Sequence, residues 1–177
     1  MSSGSPVIVE FGASDVRNYL DDLTEVLHAC VHANASVGFV LPFARDESRT
    51  FWTDKILPPL EAGGRILLAS LVEGRVTGTV QLDIDMLPSQ VHRCEIAKLL
   101  VHPAVRRQGI AKTLMAAAEQ RARDLGRTLI TLDTKTGDSA EPLYQALGFE
   151  TAGTIPGYCR HPGEPGFDST TYMYKAL

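Results

Sequence analysis

The residues with the clearest chemical potential follow an apolar run that ends at Val101. A Pro-containing turn comes next, and two arginines, Arg106 and Arg107, then precede Gly109 at the start of a segment with helical periodicity. A helix N-terminus is positive and attracts acidic side chains, yet residues 102–118 contain no carboxylate. Free backbone N–H groups, a glycine and basic side chains at a helix start bind phosphate. The sequence therefore predicts an anion-binding turn here.

Two carboxylates in neighbouring apolar runs are candidates for proton transfer. Glu95 lies inside the run 91–101, and Asp133 closes the run that begins at Thr128. A carboxylate in such a strand faces either a polar cleft or solvent, and ligands often bind beyond the carboxyl ends of parallel strands. The alternative for Asp133 is a turn residue that pairs with Lys135 or with a backbone N–H. If both face a cleft, they can divide the work on an amine, one as base and one as anchor for the ammonium.

A strand, a helix and a second strand position these residues, and we predict them at 91–101, 108–125 and 128–134. The helix has an apolar stripe and ends before Gly126, a suitable residue after a helix C-terminus. Such a crossover makes the two strands parallel and right-handed. Strand alternation places Glu95, Ala97, Leu99 and Val101 on one face and Cys94 on the other.

The rest of the chain predicts that the other strands of the sheet are antiparallel. Apolar periodicity indicates a strand at 7–11, a helix at 15–35, and a second helix at 46–57 that Pro58-Pro59 ends. A hairpin is predicted at 65–72 and 76–85, a short helix from Asp138 or Ser139 to Leu147, and late strands at 149–155 and 170–175. A Pro/Gly-rich loop, 156–168, separates the late strands. The expected fold class is α+β, a mixed, mostly antiparallel sheet with one parallel β-α-β splay, flanked by helices.

Composition limits the functional classes. A chain of 177 residues suits one domain, expected at 7–177 after a flexible terminus 1–6. The net charge of -4 argues against a general nucleic-acid surface. Three widely separated cysteines favour a reducing compartment. Neither a signal peptide nor a membrane-length apolar run is present in the sequence, so a cytoplasmic location is expected.

Two motifs carry a resemblance to a known family. The pattern Arg106-x-x-Gly109-x-Ala111, after Leu99-Leu100-Val101-x-Pro103, resembles the pyrophosphate loop of the GNAT superfamily of N-acetyltransferases. The segment 140–149, AEPLYQALGF, resembles the family's A-x-x-x-Y-x-x-x-G-F signature. The order of elements agrees over nearly the whole chain, whereas the phosphate-binding Walker and dinucleotide patterns are absent.

The resemblance implies acetyl-CoA as the acetyl donor and assigns roles to residues. Glu95 and Asp133 would deprotonate the amine, directly or through water, and Tyr144 would protonate the thiolate of CoA. A covalent acetyl-cysteine route through Cys94 is not expected, because Cys94 faces away from Glu95. The implied cofactor-binding residues are Leu99, Leu100, Val101, Arg106, Arg107, Gln108, Gly109, Ile110, Ala111, Lys112 and Thr113.

No metal is expected, because His28 and His32 have helical spacing but no third ligand. No nucleic-acid or membrane partner is expected either.

The acceptor is expected to be the amine of a small molecule. Segments 36–43 and 47–52 resemble acetyltransferases that give resistance to a toxin amino acid with a β-lactam ring, of the tabtoxin type. A zwitterion would suit a pocket in which two carboxylates hold its ammonium. The alternatives are a protein N-terminal or lysine acetyltransferase, which needs an open peptide groove, and a non-catalytic CoA-binding sensor.

Overall fold

Seven strands form one sheet in the computed structural model, which describes residues 5–177. Most of the terminus predicted to be flexible, residues 1–4, lies outside the described residues. The strands are β1 (Val7–Phe11), β2 (Arg65–Val72), β3 (Arg75–Asp83), β4 (Arg93–Val101), β5 (Leu129–Lys135), β6 (Glu150–Arg160) and β7 (Phe167–Ala176).

The strand order is β1-β2-β3-β4-β5-β7-β6, and every neighbouring pair is antiparallel except β4 with β5. The parallel pair is short. It joins Arg93, Cys94 and Glu95 to residues 129–131 of β5, after which the two strands part. The predicted fold class, mixed and mostly antiparallel with one parallel splay, is therefore confirmed.

Helices cover both faces of the sheet. They are α1 (Ala13–Asn18), α2 (Leu20–His32), α3 (Arg45–Thr50), a π-helix (Phe51–Ile56), α4 (Leu57–Glu61), α5 (Ile110–Asp124) and α6 (Ala140–Ala146). One apolar core lies between α5, α6 and the sheet, and a second lies between α2 and the opposite face. A Cβ on Gly78 of β3 would lie 3.2 Å from the Leu114 side chain, so α5 approaches the sheet closely there.

Two predicted helices differ from the structure. The helix predicted at 15–35 is divided at Tyr19 into α1 and α2. The helix predicted to stop before Pro58-Pro59 instead continues through the π-helix into α4 and reaches Glu61. The prolines occupy the first turn of α4, where their missing N–H groups and fixed φ angles are tolerated.

Strand β4 contains a bulge at its centre. Between Ala97 and Leu100, which pair with β3, the residues Lys98 and Leu99 stand opposite a single residue of β3. Lys98 has a φ of +51°, in the left-handed region that side chains other than glycine rarely occupy. The extra residue reverses the inward and outward alternation of the strand.

The bulge corrects one prediction. Leu99 and Val101 pack with the core on the α5 face, whereas Leu100 belongs to the core on the α2 face. Glu95 therefore does not share a face with Leu99 and Val101, because the alternation that was extrapolated from Glu95 changes phase after Ala97. Cys94 does lie on the α5 face, opposite Glu95, as predicted.

The segment expected to be a loop at 156–168 is mostly strand. β6 extends to Arg160 and β7 begins at Phe167, so the turn comprises only residues 161–166. The register shifts between Ile155 and Cys159, around Pro156 and Gly157. These two residues suggested a loop, but an edge strand tolerates them because one side of its backbone needs no partner.

Candidate active site

A cleft of about 640 Å³ opens where β4 and β5 part. It has contributions from the bulge of β4, the end of β5, the N-terminus of α5, the helix α6, the segment after α2 and the hairpin of β6 and β7. Of the residues predicted for the site, the cleft is lined by Leu99, Leu100, Val101, Arg106, Arg107, Gly109, Ile110, Ala111, Lys112, Asp133 and Tyr144. Glu95, Gln108 and Thr113 lie outside this lining.

One end of the cleft is the N-terminus of α5. Gly109 precedes the helix with a φ of +81°, and Arg107 has a φ of +65°, so the turn is tightly coiled. The helix begins at Ile110, two residues later than predicted, and its first N–H groups have no partner inside the helix. Arg107 and Lys112 add positive charge. These groups can hold the phosphates of a nucleotide cofactor, and Gly109 leaves the backbone uncovered.

Arg106 has a different role from Arg107. Its Nε donates a hydrogen bond to the carbonyl of Val101 at 3.3 Å, and one of its terminal nitrogens lies 4.0 Å from Sγ of Cys30. Cys30 donates to the same carbonyl at 3.4 Å. The Arg106 guanidinium therefore ties the turn to the end of β4, and Arg107 is the arginine left free for an anion.

The middle of the cleft is bordered by β4 beyond its last pairing with β5. Residues 96–101 continue past Glu95 without a parallel partner, so backbone groups on that edge face the cleft rather than a strand. An extended, amide-containing chain such as pantetheine can pair with such an edge, as an added strand would. The residues present thus fit acetyl-CoA at both its phosphates and its arm.

Asp133 lines the cleft near the end of β5. Its Oδ2 accepts a hydrogen bond of 3.2 Å from the hydroxyl of Thr170, and its side chain is exposed. In the sheet it stands opposite Tyr172 of β7. The carboxylate is therefore oriented by one hydroxyl while the rest of its acceptor capacity remains available to a ligand.

Glu95 lies on the same sheet face as Asp133 but beside the cleft rather than in its lining. It pairs with Thr131, two residues before Asp133, so both side chains project to one side. Its carboxylate lies 3.6 Å from Arg93, and 45% of the side chain is exposed. Arg93 in turn donates to Thr131 and Gln90. Arg93 thus attracts the Glu95 carboxylate towards its own end of β4.

Tyr144 of α6 is almost completely buried, and its ring packs edge-on against Phe149 with centroids 5.9 Å apart. Burial raises the pKa of the Tyr144 phenol well above its usual value, and the negative charges of Asp138 and Asp133 raise it further. The phenol therefore keeps its proton at working pH. Since Tyr144 lines the cleft, it can act as a hydrogen-bond donor there.

Sequence reasoning missed the other end of the cleft. Its lining includes Ser36, Val37 and Gly38 after α2, Lys98 of the bulge, and Tyr158 and Cys159 of β6. Lys98 could have been noticed as a cation inside an apolar run. Ser36, Val37 and Gly38 belong to a segment whose resemblance indicated the acceptor, but only the tertiary fold shows that this segment lies against the hairpin of β6 and β7.

The buried thiols do not suit nucleophilic chemistry. Cys94 is fully buried on the α5 face, and burial raises the pKa of its thiol to about 11. Burial also raises the pKa of Cys30. A nucleophilic cysteine needs the opposite shift, because the thiolate is the reactive form.

Within residues 5–177, no group of three or more His, Cys, Asp or Glu side chains is arranged to hold a metal ion. His28 and His32 stack with ring centroids 4.1 Å apart, and Nδ1 of His32 bonds to a backbone carbonyl. Among the same described residues, no helix has the length and apolar character needed to cross a membrane.

The chain belongs to the acetyltransferase (GNAT) family, whose model matches residues 23–149. It is therefore an acyltransferase of a family that uses acetyl-CoA. The matched region runs from within α2 to the residue before β6 and so includes the splay, the predicted anion-binding turn and Tyr144.

Individual proteins resemble this chain in sequence or in fold. An uncharacterised N-acetyltransferase of Azospirillum brasilense is 28% identical over 125 residues, which cover 70% of this chain and 72% of that protein. The ribosomal-protein-alanine N-acetyltransferase of Brucella melitensis has the same fold, with a TM-score of 0.76 at 21% identity, covering 97% of this chain and 99% of that one. A Salmonella typhimurium protein solved with its cofactor acetyl-CoA gives a TM-score of 0.73 at 19% identity, covering 98% and 95%.

Proposed function

We propose that the protein transfers the acetyl group of acetyl-CoA directly to the amine of a small molecule. The observation that carries this proposal is the junction at the acceptor end of the cleft. The N–H of Leu41, in the loop after α2, donates to the carbonyl of Pro162 in the β6–β7 turn at 2.7 Å. Ser36 and Cys159 meet nearby at 3.7 Å. Two segments joined in this way restrict the open groove that a polypeptide acceptor needs.

The positions of the side chains support the roles that we propose for them. Acetyl-CoA supplies an acetyl group activated as a thioester. Asp133, with Glu95 beside it, takes the proton of the acceptor ammonium directly or through water, which frees the nitrogen lone pair. The new C–N bond replaces the C–S bond, the nitrogen gives its second proton to water, and the sulfur leaves as a thiolate that accepts a hydrogen bond from the Tyr144 hydroxyl and is then protonated from solvent. Because the phenol resists ionisation, Tyr144 acts chiefly by donating a strong hydrogen bond to developing negative charge.

The acceptor that we propose more specifically is an amino acid with a β-lactam ring, and acetylation of its amine would inactivate it as a toxin. This step rests on the resemblance of segments 36–43 and 47–52, stated above, together with the carboxylates near the cleft. A resistance role in the cytoplasm, where acetyl-CoA is available, follows from it. The fold leaves the acceptor open, since one protein with this fold is a ribosomal-protein-alanine N-acetyltransferase.

The deciding experiment measures release of free CoA thiol from acetyl-CoA in the presence of different amines. The panel contains β-lactam amino-acid toxins, aminoglycosides, polyamines and short peptides, and tight acetyl-CoA binding is verified separately. We expect release with one class of small amine. Release with peptides alone would replace the proposal by protein acetylation, and acetyl-CoA binding without any release would indicate a sensor domain.

A further inference from the structure

Lys98 is the one residue of the β4 bulge with a charged side chain, and its backbone is strained. Its φ of +51° is a conformation that residues other than glycine seldom adopt. Glycine, which tolerates this conformation without a steric penalty, is not used here. A strained lysine at the point where β4 leaves β5 lies at the entrance to the splay.

The side chain of Lys98 reaches across the cleft towards the segment after α2. Its Nζ lies 3.7 Å from the position that a Cβ on Gly38 would occupy, and Gly38 itself has a φ of +91°. Both residues line the cleft at its acceptor end, together with Tyr158 and Cys159. The ammonium therefore lies beside the backbone of Gly38, which has no side chain, and in the lining of the cleft.

This ammonium has no anionic partner among residues 5–177, in contrast to two other partly buried lysines. Lys135 lies 3.0 Å from Asp168, and Lys175 lies 2.6 Å from Glu119. Burial lowers the pKa of Lys98, while the charge of Asp133 acts in the opposite direction. The charge of Asp133 thus acts on Lys98, but the two side chains lie too far apart to form an ion pair.

We propose that Lys98 and Asp133 form the two halves of a site for a zwitterionic acceptor, with Lys98 binding the carboxylate and Asp133 the reacting amine. This inference rests on the proposed function, because it assigns the acceptor of that same site. A partly buried cation and a carboxylate that line one cleft without pairing are stabilised by a ligand with the complementary charges. An amino acid carries both charges a few bonds apart. The acceptor class is therefore an amine that bears a carboxylate.

A role for Lys98 in binding the phosphates of acetyl-CoA fits less well. Those groups fall to the N-terminus of α5, where Arg107 and Lys112 supply the charge. The charged groups that act on Lys98 are Asp133 and Arg65, which belong to β5 and β2. Arg65 is itself engaged by Asp83 at 2.9 Å, so Lys98 is the available cation at the acceptor end.

The test compares acceptors that differ only in a carboxylate, in the wild type and in Lys98→Met. Suitable pairs are lysine with cadaverine, threonine with 1-amino-2-propanol, and tyrosine with tyramine, each assayed for thiol release. Methionine is unbranched and of similar length but uncharged. Lys55→Met is the matched control, because Lys55 is exposed and lies outside the cleft.

We expect the wild type to favour the carboxylate member of at least one pair. Lys98→Met should lower kcat/KM for that member by about 10- to 100-fold, mainly through KM, the range for loss of one charge-assisted hydrogen bond. The decarboxylated member, the KM for acetyl-CoA and the melting temperature should stay unchanged, as should all values in Lys55→Met.

Three results would overturn the assignment. Acetyl transfer without any preference for the carboxylate-bearing acceptor would contradict the proposed carboxylate site but not the proposed function. An equal loss for both members of a pair in Lys98→Met would show that Lys98 serves the chemistry or the fold. If no amine of this set or of the wider panel released thiol, the proposed function would fail, and the carboxylate site would fall with it.

Discussion

The two residues that we propose for proton transfer in the cleft, Asp133 and Tyr144, have different electrostatic surroundings. Tyr144 is buried against Phe149 and close to negative charge, so it holds its proton. Asp133 is exposed and accepts one hydrogen bond from Thr170. One side chain is thus a donor and the other an acceptor in the lining of the same cleft. This arrangement suits a reaction that removes a proton from nitrogen and supplies one to sulfur.

Substitution of the two carboxylates separates their contributions. We expect Asp133→Asn to lower kcat by about 100-fold, within the usual range for loss of a general base. Glu95→Gln should lower it by about 10-fold or less, because Arg93 holds that carboxylate beside the cleft. Stopped-flow or steady-state thiol release measures both values, and equilibrium binding of acetyl-CoA serves as the control. A larger effect of Glu95→Gln would make Glu95 the principal base.

Tyr144 also predicts how stability depends on pH. An unfolded tyrosine ionises at about pH 10, whereas the folded pKa is raised by burial. The contribution of Tyr144 to stability is therefore complete below about pH 10 and falls by about 1.4 kcal/mol per pH unit above it, until the folded phenol also ionises. Urea unfolding at about pH 9 and about pH 11 should show a smaller loss in Tyr144→Phe than in the wild type. Equal losses would contradict the burial argument, since the other tyrosines are common to both proteins.

Helix α5 and its anion-binding turn were accessible from sequence, and the bulge of β4 was not. A proline, a glycine and clustered arginines identify a turn, and a regular apolar stripe identifies the helix that follows. Lys98 is visible as a cation inside an apolar run, but nothing in the sequence indicates that it is an additional residue of the strand. Alternation therefore separated Glu95 from Cys94 correctly, and it failed for Leu99 and Val101, beyond the bulge.

The position of Arg107 at the N-terminus of α5 predicts which part of the acetyl donor this side chain contacts. Arg107→Ala should raise the KM for acetyl-CoA by about 5- to 10-fold, because a free charge near the phosphates is lost. It should leave the KM for S-acetylpantetheine unchanged, since that donor lacks the nucleotide phosphates. Arg123→Ala, an exposed substitution near the opposite end of the same helix, is the control. Equal effects on both donors would show that Arg107 shapes the turn rather than binding phosphate.

The acceptor end is a property of the whole molecule. It joins a loop near the N-terminal third of the chain to the turn between the last two strands, residues that are 121 positions apart at the Leu41–Pro162 hydrogen bond. The sheet order places β7 and β6 beyond β5, which brings their hairpin to the splay. Patterns within one segment identify strands and helices, but they do not specify which distant loops meet. Asp133 and Tyr144 could be named as candidates from such patterns, whereas the contact of the segment around Gly38 with the hairpin could not be anticipated.

Shortening the hairpin tests the importance of this junction. Replacing residues 161–166 by Asn-Gly should preserve the register of Arg160 with Phe167, because a two-residue turn is favoured between paired antiparallel strands. It removes Pro162, the partner of Leu41, and opens the acceptor end. We expect the KM of the preferred small amine to rise by about 10-fold, the magnitude of one or two lost hydrogen bonds, and short peptides to become better acceptors. Acetyl-CoA affinity and melting temperature report whether the splay is intact. Unchanged kinetics with both acceptor classes would mean that the junction does not select the acceptor, and the preference would then have to arise deeper in the cleft, at Lys98 and Asp133.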